Sequence, residues 1–415
     1  MKILFFFPIS PVLTGNRTAH NGGGWTASFL KKILEDSEHE VAIGYEGDGT
    51  WGECAENGVI LFPHNPFQTK KNKLKRKFSV NLEEKLLLPI IQKAVDDFMP
   101  DVIHIFGSEN PFGCIAGYKN IPCIIHLQGF LPSYYNAKFP PGVSKTDCIL
   151  KLLKKPLQLY KFLWFDSVFK YRAEREIRII RQCNSFFGRT QWDKAIVNLF
   201  HPEANYFYCS EILRPEFYEK QGMWHSSGRE HKILISTLST PLYKGHDLIL
   251  KTAKLLKEFT DLDFEWRIYG GADLQFWQKR LQISAGDVNV LSCGVASAEK
   301  LRDELLNADL YIHPSYIDNS PNSVCEAQLL GVPVIAVNSG GVSSIVEDQK
   351  SGLLVPANDP VMLAEKIKTL LADSALAHSL SENTAKISAG RHDPDTVTQA
   401  ALAAYEKLLQ TGNSR

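Results

Sequence analysis

Short apolar runs alternate with amphipathic stretches along most of the chain, and this alternation predicts its secondary structure. Runs without a polar face are typical of strands buried on both sides, and helical connections between such strands imply parallel sheets. The predicted strands are Lys2–Phe7, Glu40–Tyr45, Val59–Phe62, Val102–Phe106, Cys123–His126, Ser185–Phe187, Lys232–Ser236, Phe264–Tyr269, Val288–Leu291, Leu310–His313 and Val332–Val337. The predicted helices are Ala27–Leu34, Glu83–Phe98, Leu248–Phe259, Glu299–Leu306, Val361–Leu371 and Val397–Leu409.

This order of elements predicts two doubly wound α/β domains in series, which suits a chain of 415 residues. A polar stretch at 211–231 contains Pro215 and separates the two sets of strands. We therefore place the first domain at residues 1–212 and the second at 213–395. The last helix, within 396–415, is expected to pack back on the first domain.

Composition narrows the classes of protein. Lys plus Arg and Asp plus Glu balance at 46 each, whereas a protein that binds nucleic acid usually has a basic excess. The eight cysteines form no Cys-x-x-Cys pair, which favours free thiols in a reducing compartment over metal sites.

The amino-terminal apolar run is short, is closed by Pro8 and lacks a cleavage pattern, so it predicts a buried strand and not a signal peptide. No stretch reaches the ~20 apolar residues of a membrane span. We therefore expect a cytoplasmic protein.

Polar and glycine residues follow the strands of the second half at their carboxyl ends, where doubly wound domains bind ligands. After Leu310–His313, Ser320 is suited to cap a helix, Pro321 to begin it and Gly331 to end it. The helix amino end is a ready anion site. Asp318 and Glu326 can accept hydrogen bonds from sugar or ribose hydroxyls.

Two further elements point to a phosphate ligand. Gly340 and Gly341 follow the next strand and allow close backbone approach with N–H groups available. Lys244 precedes a helix that starts near Gly245, where a cation opposes the helix dipole unless an anion is bound. A solvated surface lysine is the alternative for Lys244 taken alone.

These motifs together resemble the donor-binding domain of glycosyltransferase family 4, most densely over residues 232–371. The resemblance implies the GT-B fold, two facing Rossmann-like domains, and a retaining transfer reaction. The residues that carry it are Ala308-Asp309-Leu310, Pro314-Ser315, Pro321-Asn322, Glu326-Ala327, Gly331-Val332-Pro333-Val334, Gly340-Gly341 and Gly352-Leu353-Leu354-Val355.

The resemblance also assigns roles to residues. It implies that Glu326 binds the ribose of a nucleotide sugar, that Lys244 binds its diphosphate, and that Asp318 contacts the donor sugar. The other expected donor contacts are Asn319, Ser320, Asn322, Ser323, Gly340 and Gly341. The chain departs from the family pattern at two points: Asp318 stands where the family usually has glutamate, and no arginine precedes Lys244 by about five residues.

Three places in the first half are further candidates. The glycine loop with Gly23 and Gly24 is expected to close over the donor phosphates, with a flexible loop as the alternative. His126 ends a strand and is expected to contact the transferred sugar, with a packed core histidine as the alternative. Arg189 also ends a strand; with no evident structural partner, it could meet phosphate or lie on the surface.

Two basic stretches remain, at 70–77 and at 151–181, the second with aromatic residues among its cations. A solvated helical surface is one interpretation. The other is a patch that meets anionic lipid or a lipid-linked acceptor, with the protein peripheral at the inner membrane face.

We interpret the chain as a retaining, metal-independent glycosyltransferase without a cofactor. It would use a UDP- or GDP-linked sugar donor and a saccharide or lipid-linked saccharide acceptor in polysaccharide or glycolipid assembly. The Asp-x-Asp motif at 393–395 lies in a late loop, which does not suggest a metal site. Two alternatives stay open: an epimerase or phosphorylase-like enzyme of the same fold, and a non-catalytic protein that binds nucleotide sugars.

Overall fold

The computed structural model describes residues 1–8, 24–35, 38–55 and 57–412, which fold into alternating strands and helices. The strands are β1 Lys2–Phe7, β2 Glu40–Glu46, β3 Glu53–Cys54, β4 Ile60–His64, β5 Val102–Phe106, β6 Cys123–His126, β7 Ser185–Gly188, β8 Asn205–Tyr208, β9 Lys232–Leu238, β10 Phe264–Gly270, β11 Val290–Gly294, β12 Leu310–His313, β13 Val334–Val337 and β14 Leu353–Val355. The helices are α1 Gly24–Glu35, α2 Lys70–Lys75, α3 Leu82–Phe98, α4 Leu131–Ala137, α5 Lys145–Leu152, α6 Pro156–Gln182, α7 Gln191–Phe200, α8 Pro215–Tyr218, α9 His246–Phe259, α10 Gln275–Leu281, α11 Ala298–Leu306, α12 Asn322–Leu330, α13 Pro360–Ala372, α14 Ser374–Arg391 and α15 Pro394–Gly412.

The chain divides into two compact units. The first comprises Met1–Asn136, Ser144–Ile212 and Pro394–Arg415, and the second comprises Leu213–Asp393 with the short segment Ala137–Val143. The division after Ile212 falls inside the polar stretch that separates the two sets of strands in the sequence.

The first unit is built on a sheet in the order β3-β4-β2-β1-β5-β6-β7-β8. Its strands pair in parallel except for β3, which runs antiparallel to β4. Successive side chains point to opposite faces, so each face has its own core. Phe5 and Phe7 pack on one face with helices α1 and α15, and Leu4 and Phe6 pack on the other with α3, α6 and α7.

Helix α15 contributes to the first of these cores although it is the last element of the chain. Its Val397, Ala401 and Tyr405 are buried against that face of the first sheet. The Tyr405 hydroxyl lies 2.5 Å from Nδ1 of the buried His104 on β5. The carboxyl-terminal helix is thus an integral layer of the first unit.

The second unit is built on a parallel sheet in the order β11-β10-β9-β12-β13-β14. The order reverses direction between β9 and β12, and their carboxyl ends carry the loops that hold Lys244 and Asp318. Ligands of open α/β sheets bind at such a switch point.

The expected fold class, α/β with two doubly wound parallel-sheet domains, is confirmed. Strands β1, β5, β6 and β12 have the predicted bounds, whereas β3, β8 and β14 were not predicted. All eight cysteines are free thiols, of which Cys183, Cys209 and Cys325 are buried. None of the helices in the described part of the chain combines the length and apolar character needed to cross a bilayer.

Candidate functional site

Lys244 and Asp318 form an ion pair at the carboxyl edge of the second sheet. The Nζ atom of Lys244 lies 2.6 Å from Oδ2 of Asp318. Lys244 ends a short 3-10 turn, Leu242–Lys244, directly before α9. The turn is held close to β12 at Gly245, where a Cβ atom would lie 2.1 Å from the carbonyl oxygen of Pro314.

Asp318 is buried and stays ionised because of its neighbours. His313, the last residue of β12, places Nε2 3.3 Å from the same Oδ2 atom that meets Lys244. Burial raises the pKa of Asp318, but the Lys244 ammonium and the His313 ring outweigh it and hold that pKa well below its usual range. The edge of the sheet therefore presents a carboxylate and an ammonium side by side.

The glycine pair lies directly against the backbone of Asp318. The Gly341 N–H donates to the Asp318 carbonyl oxygen at 2.9 Å. Gly340 has φ +56°, and a Cβ atom there would lie 2.0 Å from that oxygen. Only glycine combines this backbone conformation with so close an approach, so the sequence signal at 340–341 has a structural cause in the Asp318 loop.

Helix α12 begins one residue later than predicted. Its cap is Pro321, whose carbonyl oxygen accepts from the N–H groups of Val324 and Cys325 at 2.9 and 3.2 Å. The predicted cap, Ser320, instead lies in the preceding loop, with Oγ 3.7 Å from Sγ of Cys325. The predicted helix end is confirmed, since Gly331 closes α12 in the left-handed conformation.

The remaining predicted donor contacts surround this helix start. Asn319 is buried and donates its backbone N–H to Oδ1 of Asp318 at 3.2 Å. Asn322 and Ser323 occupy the first turn of α12 and are half-buried. The second unit thus brings Lys244, Asp318 and its neighbouring loops, and the α12 amino end, together at one edge of its sheet.

Glu326 is held by a residue that was not predicted. Both of its carboxylate oxygens accept from Arg214, Oε1 from Nε at 2.7 Å and Oε2 from Nη2 at 2.8 Å. Burial raises the pKa of Glu326, and the Arg214 guanidinium opposes that rise. Arg214 also lies over the Phe217 ring, at 4.8 Å from its centroid. Its one visible signal in the sequence is that it is the only cation between 205 and 218.

His126, in the first unit, is a fully buried core residue. Its Nε2 atom lies 3.1 Å from the Cys209 carbonyl oxygen, which selects the tautomer with the proton on Nε2. Its ring packs against Trp25 at 4.7 Å between centroids. Burial, helped by the positive charge of Arg189, lowers the pKa of His126 to about 3. The histidine is therefore neutral near pH 7 and matches the alternative of a packed core residue.

Arg189 has several structural partners, so the interpretation that it lacked one is wrong. It is buried, and its Nη2 atom donates to the Gln128 carbonyl oxygen at 3.0 Å. The guanidinium also lies over the Trp25 ring at 5.1 Å and 4.0 Å from Oε2 of Glu211. Sequence alone missed these contacts because each partner lies on another element. Nearby, Thr190 and Asp193 form a capping box at the start of α7.

The glycine loop can be placed only in part. Gly23 lies outside the described residues, and Gly24 is the first residue of α1, with φ +60°. Trp25, which follows it, contacts both His126 and Arg189. Gly24 and Trp25 therefore begin α1 beside His126 and Arg189, which lie at the carboxyl ends of strands of the first sheet.

A buried carboxyl in the first unit was also not predicted. Glu176 on α6 accepts from the Leu131 N–H at 2.6 Å and from the Ser108 hydroxyl. Burial, with the like charge of Glu109, raises its pKa to about 8. This group ties α6 to the loop after β5 and to the start of α4.

The sequence of the chain is similar to those of known glycosyltransferases. Residues 225–387 match the family model described as Glycosyl transferases group 1. The chain is 25% identical over 395 residues to N,N'-diacetylbacillosaminyl-diphospho-undecaprenol alpha-1,3-N-acetylgalactosaminyltransferase of Campylobacter jejuni, covering 91% of this chain and 94% of that protein.

Two solved structures share the fold over nearly the whole chain. Sucrose-phosphate synthase from Thermosynechococcus elongatus superposes with a TM-score of 0.72 at 15% identity, covering 99% of both chains. Anabaena Alr3699/HepE in complex with UDP and glucose superposes with a TM-score of 0.63 at 17% identity, covering 98% of this chain and 100% of that one. The protein is therefore a glycosyltransferase with the GT-B fold, and its second unit carries the match to the group 1 glycosyl transferases.

Proposed function

We propose that the protein is a retaining, metal-independent glycosyltransferase that uses a UDP- or GDP-linked sugar and a saccharide or lipid-linked saccharide acceptor. The observation that carries the proposal is the Lys244–Asp318 pair beside Gly340, Gly341 and the start of α12. This arrangement offers an ammonium and helix N–H groups to a diphosphate, and a carboxylate to a sugar hydroxyl, at the switch point of the sheet.

The proposed chemistry stabilises the leaving group. The bond between the anomeric carbon and the diphosphate oxygen breaks, and an acceptor hydroxyl forms the new bond on the same face of the sugar. The acceptor proton passes to the departing diphosphate. Lys244 stabilises the negative charge that develops there, which is the role that preorganised cations and N–H groups have in transfer reactions. In this scheme charge stabilisation needs no bound metal.

The donor would rearrange the Lys244–Asp318 pair without breaking it. An ammonium has three donors, and the contact with Oδ2 of Asp318 uses one of them. The others are available for diphosphate oxygens. Oδ1 of Asp318 meets only a backbone N–H within its own loop among the described contacts, so that oxygen could accept from a sugar hydroxyl.

Arg214 supports the proposed role of Glu326. A bidentate guanidinium fixes both the position and the charge of the carboxylate, and each carboxylate oxygen keeps a second acceptor site for a ribose hydroxyl. We therefore propose Arg214 as a positioning residue for ribose recognition. The acceptor is less constrained: the Campylobacter relative is named for a diphospho-undecaprenol acceptor, which supports a lipid-linked acceptor here.

The direct test is a thermal-shift screen against uridine, guanosine and adenosine diphosphate sugars. The wild type should be stabilised by a uridine or guanosine donor, and both Lys244→Ala and Glu326→Ala should lose that shift. Lys257→Ala is the matched control, since Lys257 is an exposed lysine on the same helix that follows Lys244. If the Lys244 and Glu326 variants keep the shift, the donor site is elsewhere.

The alternatives differ in their products. A phosphorylase-like enzyme would use inorganic phosphate as the acceptor, and an epimerase would return a sugar that still carries its nucleotide. Donor binding without transfer or hydrolysis across an acceptor panel would indicate a non-catalytic binding protein. Product analysis by mass spectrometry therefore separates all three from glycosyl transfer.

A further inference from the structure

One surface of the first unit exposes an unusual set of large apolar side chains. They lie on and just after α2, on and just after α5, and along the first half of α6. Leu157 has 67% of its surface exposed and Phe78 has 70%. The exposed set in this region is Leu74, Phe78, Leu150, Leu153, Leu157, Tyr160, Leu163 and Phe165. We call this set, with the cations among it, the α2–α6 surface.

The α2–α6 surface is continuous although its two parts are far apart in sequence. The Tyr160 hydroxyl on α6 donates to the Lys77 carbonyl oxygen just beyond α2 at 2.6 Å. A cavity of about 140 Å³ also joins the two parts, with Phe67 and Arg76 on one side and Trp164 and Phe165 on the other. The exposed apolar residues therefore form one face, and contiguous faces of this kind mark interaction sites.

The same face is strongly cationic. Its exposed cations are Lys70, Lys71, Lys73, Lys75, Arg76, Lys77, Lys151, Lys154, Lys155 and Lys161. The nearby acids already have partners. Asp147 belongs to the capping box of α5, and Asp166 pairs with Lys145. Glu83 pairs with Arg172 at 2.7 Å. The net charge of the surface is therefore positive even though the whole chain is neutral.

The spacing of the apolar residues suits a helix lying flat on an interface. Leu157, Tyr160 and Leu163 follow one another at intervals of three residues within α6, which places them along one side of that helix, and the exposed Leu153 lies just before it. Lysines at 154, 155 and 161 flank that stripe. A leucine and aromatic face bordered by lysines is typical of helices that bind the headgroup region of anionic bilayers.

We propose that the α2–α6 surface docks the enzyme on an anionic lipid membrane, with the lysines on the headgroups and the leucines and aromatic rings among the acyl chains. Charge complementarity selects this occupant. A second copy of the same surface would bring two sets of lysines together, and a nucleic acid would gain nothing from the exposed leucines. The inference is independent of the donor site because its residues lie in the first unit and its readout is lipid binding.

The test is sedimentation of the whole 415-residue chain with vesicles of phosphatidylcholine alone and of phosphatidylcholine mixed with phosphatidylglycerol. Binding should require phosphatidylglycerol and weaken as salt is raised. The triple variant Lys70→Gln, Lys71→Gln, Lys73→Gln should bind on the order of 100-fold more weakly, at about fivefold for each lysine. The double variant Leu153→Ser, Leu157→Ser should lose on the order of tenfold or more.

Matched controls come from exposed residues elsewhere. Lys257→Gln, Lys368→Gln, Lys386→Gln removes three exposed lysines of the second unit, and Leu199→Ser, Phe259→Ser removes two exposed apolar side chains outside the surface. Both controls should bind vesicles as the wild type does. Equal binding to both vesicle types, or equal weakening by the controls, would overturn the proposal. A dimer in solution that the leucine variant dissociates would instead assign the surface to a second copy of the chain.

Discussion

Lys244 and Arg214 each neutralise a carboxylate at the same edge of the second sheet, but they leave different chemistry available. Lys244 is partly exposed, and its single contact with Asp318 leaves donors for a ligand. Arg214 is mostly buried, and its fork is fully engaged with both oxygens of Glu326. At the residue scale, Lys244 is therefore suited to bind a ligand directly, whereas Arg214 holds the Glu326 carboxylate in position.

Removing Arg214 should lower the stability of the protein, because the Glu326 carboxylate would then be buried without its cation. Arg214→Met should destabilise the second unit by about 3–5 kcal/mol, because Glu326 would lose its only described cationic partner. Arg214→Met combined with Glu326→Gln should recover part of that loss, since the double variant buries no charge. Thermal unfolding of the two single variants and the double variant measures this coupling, and additive losses would contradict the interpretation of the pair.

A conservative variant, Arg214→Lys, separates a positioning role from a purely structural one. If Arg214 positions Glu326 for ribose, Arg214→Lys should keep most of the stability but raise the donor KM with little change in kcat. It should also bind a 2′-deoxyribose donor and a ribose donor with more nearly equal affinity than the wild type does. An unchanged preference for ribose would show that Arg214 acts on stability alone.

At the scale of the element, the conformation of the Asp318 loop depends on the turn after β13, which packs against it. Gly340→Ala would place a Cβ atom 2.0 Å from the Asp318 carbonyl oxygen at a φ of +56°. The Asp318 loop must then move, so the variant should lose at least about 1 kcal/mol of stability and bind donor about tenfold more weakly. The melting temperature without donor reports the loss of stability, and the shift of that temperature on adding donor reports the weaker binding.

Gly390→Ala is the matched control for this change. Gly390 lies inside α14 with nothing within 4 Å of an added Cβ atom. Alanine there should stabilise the protein by roughly 0.5–1 kcal/mol and leave donor binding unchanged. Equal donor affinity in Gly340→Ala and Gly390→Ala would show that the Asp318 loop does not contact the donor.

The elements that sequence predicted best are those defined by an uninterrupted apolar run. Strands such as β5 and β12 are buried along their whole length, so their pattern marks both ends. The short strand β14 lacks this length, and β8 lies at the edge of its sheet with exposed ends, which weakens the apolar signal. The one-residue error at the start of α12 arose because Pro321 can either cap a helix or begin one.

The candidate site was predictable where its residues follow one another in the chain. Asp318, Glu326 and the glycine pair lie within one stretch, and their spacing carries the family resemblance. The pairing of Arg214 with Glu326 spans 112 residues, and Arg189 meets Gln128 across 61. No local pattern encodes such contacts, because they depend on which strands become neighbours in the folded sheet.

At the scale of the whole molecule, buried titratable groups should give stability a pH dependence with two opposing parts. Burial lowers the pKa of His64 to about 4 and that of His126 to about 3, below their ordinary 6.5. Their neutral forms fit the native state, so stability is lost as pH falls from 6.5 through these values. The pKa of Glu176 is raised from 4.5 to about 8, so its contribution is lost as pH rises through that window.

The variant Glu176→Gln isolates the contribution of Glu176 to the pH dependence of stability. The variant removes the charge that must be buried at high pH, so its melting temperature should fall less than that of the wild type between pH about 5 and about 9. At the alkaline end the variant should melt higher by roughly 5 °C. Parallel curves for the two proteins would show that Glu176 does not titrate in this range.

The central claim is retaining transfer from a nucleotide sugar that is held by the second unit. The most direct measurement is a proton NMR time course of the product formed from the donor that the thermal-shift screen selects, with an acceptor bearing a free hydroxyl. The account predicts a glycoside with the anomeric configuration of the donor, released nucleoside diphosphate, and a rate at least about 100-fold lower in Lys244→Ala. A product of inverted configuration, or an undiminished rate in Lys244→Ala, would contradict it.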